Sequence, residues 1–356
     1  MSGEGGVKGF QIPSLDGIRT VSFAIVFAAH AGLNAIIPGP FGVTVFFFLS
    51  GYLITTLLRR EQEKTGAFSL RRFYLRRVLR ILPPFYAVLA IVFGGIALGI
   101  FPPPGEPASV RALLLHYVNY YIVVHDHHGL PIGTGVYWSL AVEEHFYLLF
   151  PGIFALLSRW KSSSLKKSSI LIGLCLVVLA WRCALVFLFH VSQHRTAIAS
   201  DTRFDSLLFG CALALTENPA LDTSAISERT WKRLLFPLGL GGLLAAFAYR
   251  SETFRETFRY TLQGFSLIPI FVCAIRYPTW WPIRPLNWRP IAYLGSLSYS
   301  LYLVHLLAQS VVSLWFGSLG GVAQSLLAAL LTFGLSWAMF QLIEKPCARL
   351  RRKLQV

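Results

Sequence analysis

The sequence predicts an all-α fold, a polytopic membrane helical bundle of about ten transmembrane helices with both termini cytoplasmic. Three observations predict it. Of 356 residues, 55% are hydrophobic and 13% charged, and the mean hydropathy is +0.59; that is about half the share of charge an ordinary soluble surface needs. Apolar runs recur at lengths near the ~20 residues that cross a hydrocarbon core. Basic residues concentrate in every second connection, as they do on the cytoplasmic side of membrane proteins.

In order, the predicted spans are 18–36, 41–58, 81–101, 136–158, 168–190, 203–216, 234–250, 260–277, 291–315 and 322–343, the sixth being short. Segment 59–80 holds eight basic residues, 159–167 four, 216–233 three, 276–290 three and the tail 345–353 five. With Lys8, 24 of 32 basic residues fall on one side, against six in the other loops and two within spans, Arg19 and Arg182. The net charge of +16 therefore reads as topology and contact with the anionic headgroups of a lipid bilayer, with no nucleic-acid partner. The expected place is a cell membrane, the inner membrane of a bacterium, crossed many times.

The first span reads as an uncleaved anchor, because the flank before it is long, glycine-rich and carries Glu4 and Asp16, unlike a signal peptide. Four of five cysteines, Cys175, Cys183, Cys211 and Cys273, fall in spans and Cys347 in the tail, with no C-x-x-C, so neither a disulfide framework nor a zinc site is indicated. No repeat of fixed period is visible. The chain reads as one domain, 1–356, without a soluble appendage.

Segment 102–135 contains an apolar stretch, Ala112–Val124, too short to span. It reads either as a lid over an outward-facing site or as a packed interfacial helix with Tyr117, Tyr120 and Tyr121 at headgroup level. His125-Asp126-His127-His128 has the composition of a metal site. Adjacent residues on a regular element cannot all face one ion, so the expectation is a solvated loop and no metal.

Ionisable side chains at membrane depth are costly and mark function. His30 follows Arg19 by eleven residues, about three helical turns, which on a regular helix puts both on one stripe roughly 16 Å apart. Glu143 and Glu144 on the fourth span, Arg182, Ser50 and His305 reach a similar depth, so five helices bring polar groups to one slab, as a buried reaction centre requires. Arg182 also fits a simple pairing with a buried acid, Arg203 with Asp205 a local ion pair, and Tyr137 and Trp138 an aromatic belt. A second layer gathers Arg19, Arg77, Arg80 and Glu344 near the cytoplasmic boundary. Arg77 and Arg80 are helical neighbours whose guanidinium forks match phosphate oxygens; Arg-rich inner loops also serve simply to set orientation.

Read in order, these residues resemble the acyltransferase-3 family of integral membrane O-acyltransferases. Leu15-Asp16-Gly17-Ile18-Arg19 followed by His30 is similar to that family's arginine–ten residues–histidine motif. Phe47-Phe48-Leu49-Ser50-Gly51-Tyr52-Leu53-Ile54 resembles its second-helix signature, Arg77-Val78-Leu79-Arg80 its R-x-x-R segment, and Trp138-Ser139-Leu140 with Glu143-Glu144 its W-S-L motif. Further matches are Thr202-Arg203-Phe204-Asp205-Ser206, the stretch from Ser298 through Tyr302 to His305, and Glu344-Lys345-Pro346. Where the family usually has glutamine after the paired glutamates, this chain has His145. Some relatives carry a hydrolase-like extracellular domain; the expectation here is the transmembrane domain by itself, with the need for a separate extracytoplasmic partner left open.

The resemblance implies acyl transfer, commonly of acetyl, from cytosolic acyl-CoA to a hydroxyl of a carbohydrate or glycoconjugate at the extracytoplasmic side, with no tightly bound cofactor. Under it, Arg77 and Arg80 would hold the coenzyme phosphates and Arg19 the donor deeper in. His30 would be the general base and Glu143 its orienting carboxylate. A covalent relay through an acyl-histidine or acyl-Ser50 is the alternative chemistry, with Glu144, Tyr302, His305 and Glu344 as further candidates. The competing classes are a transporter or exporter of a sugar-like substrate, using the same polar residues as a proton relay, and a sensor that binds acyl-CoA without turnover.

Overall fold

The computed structural model describes residues 12–160 and 162–354. Glu4 and Lys8, and Lys161 of the 159–167 group, lie outside the described residues.

All ten predicted segments are helical. The chain opens with α1 (Pro13–Ala28), which passes into a π-helical turn at Ala29–Leu33. There follow α2 (Gly39–Thr65) and α3 (Leu70–Ala97). Two short helices, α4 (Pro107–Leu114) and α5 (Val118–His125), lead to α6 (Trp138–Arg159) and α7 (Ser164–Phe187). Next come α8 (Gln193–Ile198) and α9 (Ser200–Thr216). One apolar stretch, Glu228–Ala248, comprises α10 (Glu228–Thr230), a π turn and α11 (Phe236–Ala248). The chain then forms α12 (Glu252–Glu256) and α13 (Arg259–Arg276). The last four are α14 (Arg289–Ser296), α15 (Ser298–Trp315), α16 (Gly321–Met339) and α17 (Lys345–Arg352).

Among the described residues, six helical stretches are long and apolar enough to cross a membrane, seven if α14 and α15, bent by 71° at Leu297, count as one broken span. The other three predicted segments became α1, α9 and α13, of 16, 17 and 18 residues. Burial explains α9, which corresponds to the short sixth predicted span. From Thr202 to Leu215 every residue of α9 except Phe204 is buried, so the helix is wrapped by protein and has no lipid-facing surface to match to bilayer thickness.

The centre of the bundle is the crossing of α2 and α9. A Cβ at Gly51 would lie 2.0 Å from the Leu207 carbonyl oxygen, and one at Gly210 2.0 Å from that of Phe48. Only glycine permits this backbone approach, the usual means of close helix packing in membranes. On its far side α9 is tied to α7 by the Arg182–Asp205 ion pair, at 2.7 Å and fully buried. Arg182 also donates to Thr202 O, Thr257 O and Thr261 Oγ1, so the pair is satisfied all round, the condition for burying it. The Arg203–Asp205 pair expected from sequence does not form. Asp205 is taken by Arg182, and the Arg203 guanidinium lies 3.9 Å from the Tyr260 ring centroid while donating to Ala197 O and Thr44 Oγ1.

Segment 102–135 forms two helices rather than one, because His116 adopts φ +55° between them. The segment is fastened down. Asn119 donates to Ser200 Oγ at 2.9 Å, Tyr120 to Asp201 at 3.1 Å, and the buried Tyr121 hydroxyl to His128 O at 2.9 Å. His145, the departure from the family pattern, meets the same Ser200 hydroxyl at 2.6 Å and so keeps a hydrogen bond. Tyr137, expected in an aromatic belt, is buried and donates to Leu303 O.

Candidate active site

Most of the polar residues sort into two cavities, with a pair of histidines between them. The first cavity encloses about 90 Å³. Helix α1 brings Arg19 to it, α2 Ser50, α3 Arg77 and Arg80, α6 Glu143 and Tyr147, and the bend between α14 and α15 Tyr299 and Tyr302. Glu143 and Tyr147 are four apart on α6 and therefore neighbours on its surface. The Tyr147 hydroxyl donates to Glu143 Oε2 at 3.2 Å and meets Ser50 Oγ at 2.6 Å, forming a short hydroxyl–phenol–carboxylate chain.

The cations of this cavity are unequally partnered. Arg19 donates to Asp16 Oδ1 at 2.5 Å, one turn back on α1. Arg77 is buried, stands 5.7 Å from the ring centroids of Phe73 and Tyr147, and its Nε has no hydrogen-bond partner among the described residues. A buried guanidinium N–H left unpaired is costly and is well placed for an anion. Glu344, at the end of a π turn, accepts from the buried Ser300 hydroxyl and has Arg80 and Arg351 among its charged neighbours. Glu144 faces neither cavity, and its Oε1 is buried without a hydrogen-bond partner among the described residues.

The second cavity is wider, about 700 Å³, and is lined by His30, Ile132, Leu306, Gln309, Gln324 and Ser325 among others. His30 sits in the π turn after α1, where Gly32 at φ +97° ends the helix. The non-helical angles of this turn fall at Ala31 and Gly32, beyond His30, so Arg19 and His30 stand about three helical turns apart and reach different cavities, Arg19 the first and His30 the second. The partner of His30 differs from the one expected. His30 Nδ1 lies 3.3 Å from His305 Nε2, and Glu143 takes its hydrogen bond from Tyr147.

The proton positions of the histidine pair follow from donor and acceptor rules. His305 Nδ1 is 2.7 Å from the Tyr302 carbonyl oxygen, which can only accept, so Nδ1 carries the proton and Nε2 is the acceptor. His30 Nδ1 then donates to it, leaving His30 Nε2 as a lone pair. His305 is fully buried, and Tyr302, to which it is bonded, lines the first cavity. A chain of contacts, His30–His305–Tyr302, thus links the two cavities.

Of the residues singled out in the sequence, Arg19, Ser50, Arg77, Arg80, Glu143 and Tyr302 come together, and His30 and His305 pair beside them. Arg182 belongs to the separate α7–α9 pair. Sequence reasoning missed Tyr147 and Ser139, whose hydroxyl meets that of Tyr302 at 2.6 Å. Tyr147 was discoverable, since its i+4 spacing from Glu143 is the signal; Ser139 and Tyr302 are joined only by tertiary structure.

The helical bundle brings Arg, Ser and Glu groups to one cavity and His30 to a second, an arrangement suited to group transfer. Residues 12–341 match the family model of the acyltransferase-3 domain, and the chain belongs to that family. It is 30% identical over 307 residues to the peptidoglycan O-acetyltransferase OatA of Listeria monocytogenes, covering 83% of this chain and 49% of that protein. It is 30% identical to a putative peptidoglycan O-acetyltransferase, YrhL, of Bacillus subtilis, covering 83% and 48%, and 27% identical to a putative O-acetyltransferase of Staphylococcus aureus, covering 86% and 52%. The chain spans about half the length of these curated relatives. No solved structure matches it.

Proposed function

We propose that the protein is a membrane O-acetyltransferase that takes an acetyl group from cytosolic acetyl-CoA at the first cavity and delivers it to a carbohydrate hydroxyl, of the peptidoglycan class, at the second. The observation that carries this reading is the pair of cavities, one lined by three arginines and one by a histidine with a free lone pair, joined through His305 and Tyr302. The names of the relatives supply the acetyl group and the acceptor class. The alternation of basic connections supports a cytoplasmic first cavity and cytoplasmic termini.

In this reading Arg77 and Arg80 hold the coenzyme phosphates and Arg19, steadied by Asp16, the donor nearer the thioester. The first cavity has room for the acyl end of the donor and not for the nucleotide, which stays at its mouth. The acceptor hydroxyl oxygen attacks the thioester carbonyl carbon. The C–O bond forms, the C–S bond breaks, the hydroxyl proton passes to His30 Nε2, and coenzyme A leaves as the thiol on reprotonation. His305 is a positioning residue that fixes the tautomer of His30, as a carboxylate does in other catalytic histidines.

The placement of Ser50 in the first cavity, which His30 does not line, favours a second route. Ser50 Oγ attacks the thioester carbonyl carbon as its proton passes through Tyr147 to Glu143, the C–S bond breaks and coenzyme A leaves as the thiol with that proton; the acceptor hydroxyl then displaces Ser50 from the acyl-serine, its proton returning to the serine oxygen. The test is release of coenzyme A from acetyl-CoA by purified protein in lipid, with soluble peptidoglycan fragments as acceptor. Acceptor-dependent release that a folded His30→Ala variant loses supports the reading, and equal release from both removes His30 as base. Label from acetyl-CoA retained on the protein without acceptor, and absent from Ser50→Ala, selects the relay. Uptake of unmodified sugar without coenzyme A release would make the protein a transporter.

A further inference from the structure

We propose that Asp126, His127 and His194 form a binding site for one divalent transition-metal ion, zinc by preference, beside the second cavity. Their ligand atoms all lie within 4.8 Å of one another. They come from two segments far apart in sequence, the turn after α5 and the short helix α8, so tertiary structure and not local composition brings them together.

The expectation that four adjacent residues cannot share an ion is met by division of labour. His125 turns away and stacks on Tyr121 at 4.5 Å, and the His128 carbonyl is held by the Tyr121 hydroxyl. Asp126 and His127 turn the other way. Asp126 does so at φ +52°, a backbone conformation rare for a non-glycine residue, and its Oδ1 reaches His194 Nδ1 at 3.1 Å. The His127 and His194 rings stand edge to face at 5.8 Å. Room for His127 depends on Gly135, where a Cβ would approach His127 Nδ1 to 3.1 Å.

Two imidazole nitrogens and a carboxylate are a donor set for zinc, with one coordination position left for water or an incoming oxygen ligand. Zinc ligands at about 2.0–2.1 Å in a tetrahedron are about 3.4 Å apart. Side-chain rotations closing little more than an ångström bring these three to that spacing, and the exposure of Asp126 and His194 leaves them free to rotate. The consequence is mechanical. The same turn leads to Ile132, which lines the second cavity, and His127 is a charge neighbour of His30. A bound ion therefore braces the lip of that cavity against α8, whatever chemistry the cavity performs.

The experiment uses the full chain without a histidine tag, purified in detergent, stripped with a chelator and titrated with zinc by calorimetry, then with cobalt for its visible tetrahedral bands. The expected result is one equivalent of zinc bound at micromolar affinity or tighter, intense cobalt bands and a higher thermal midpoint. His194→Ala and Asp126→Ala should each weaken binding at least about tenfold and remove the thermal shift, while His128→Ala leaves both in place. Circular dichroism confirms that the variants remain helical. No stoichiometric binding, or binding that survives His194→Ala, overturns the proposal.

Discussion

At His30 the two ring nitrogens have different neighbours, and this asymmetry decides what the side chain can do. Nδ1 is engaged by His305, while Nε2 is left to the cavity. His305→Ala should therefore lower kcat about 100-fold, roughly 2.7 kcal/mol of barrier, with the KM for acetyl-CoA unchanged; a rise in KM at constant kcat would place His305 in donor binding instead. Arg77 is the opposite case. Removing its unpartnered guanidinium by Arg77→Ala should raise the acetyl-CoA KM at least about tenfold, as one charge-assisted contact of roughly 1.5–3 kcal/mol is lost, with kcat much less affected. At this scale the identities of the site residues were legible, because charge inside an apolar segment is conspicuous. Their partners were not. Glu143 serves Tyr147 and not His30, and Asp205 serves Arg182 and not Arg203, since which side chain faces which depends on helix rotation and crossing.

Helices α2 and α9 touch backbone to backbone, so their crossing is intolerant of side chains. Gly210→Leu should lower the thermal midpoint of the purified protein sharply, overpacking alone costing about 1–3 kcal/mol, whereas Gly152→Leu, with open space around it, should leave it near wild type. A similar midpoint for the two variants would refute the close-crossing account. Beside this contact, Asp205→Ala leaves Arg182 buried without its counter-charge and should cost about 3–5 kcal/mol, read as loss of folded protein from the membrane fraction. The helical segments were legible as apolar runs. The π turn at Ala29–Leu33 was not, because its sequence carries no signature beyond Gly32.

Across the whole molecule, the alternation of basic connections sets a direction that the native cysteines can test. Cys347 near the start of α17 and Cys183 in α7 are partly exposed, while Cys175, Cys211 and Cys273 are buried, so the test uses a Cys183→Ser background. A membrane-impermeant maleimide should label Cys347 in inverted vesicles and spare it in intact spheroplasts; the reverse pattern would invert the proposed orientation and put the arginine-lined cavity on the wrong side for cytosolic acetyl-CoA. By itself the sequence determined the class of fold, the ten helical segments, the family and most residues of the candidate site. These depend on composition, periodicity and ordered motifs, which are local along the chain. Only the tertiary structure decided that the site is two cavities joined by a histidine pair, that α9 is wrapped by protein, and that His194 joins Asp126 and His127. Those features arise where separate helices meet, at angles and depths set by glycine contacts, a π turn and a 71° bend, and hydrophobic pattern along a segment carries no information about which neighbour it will meet.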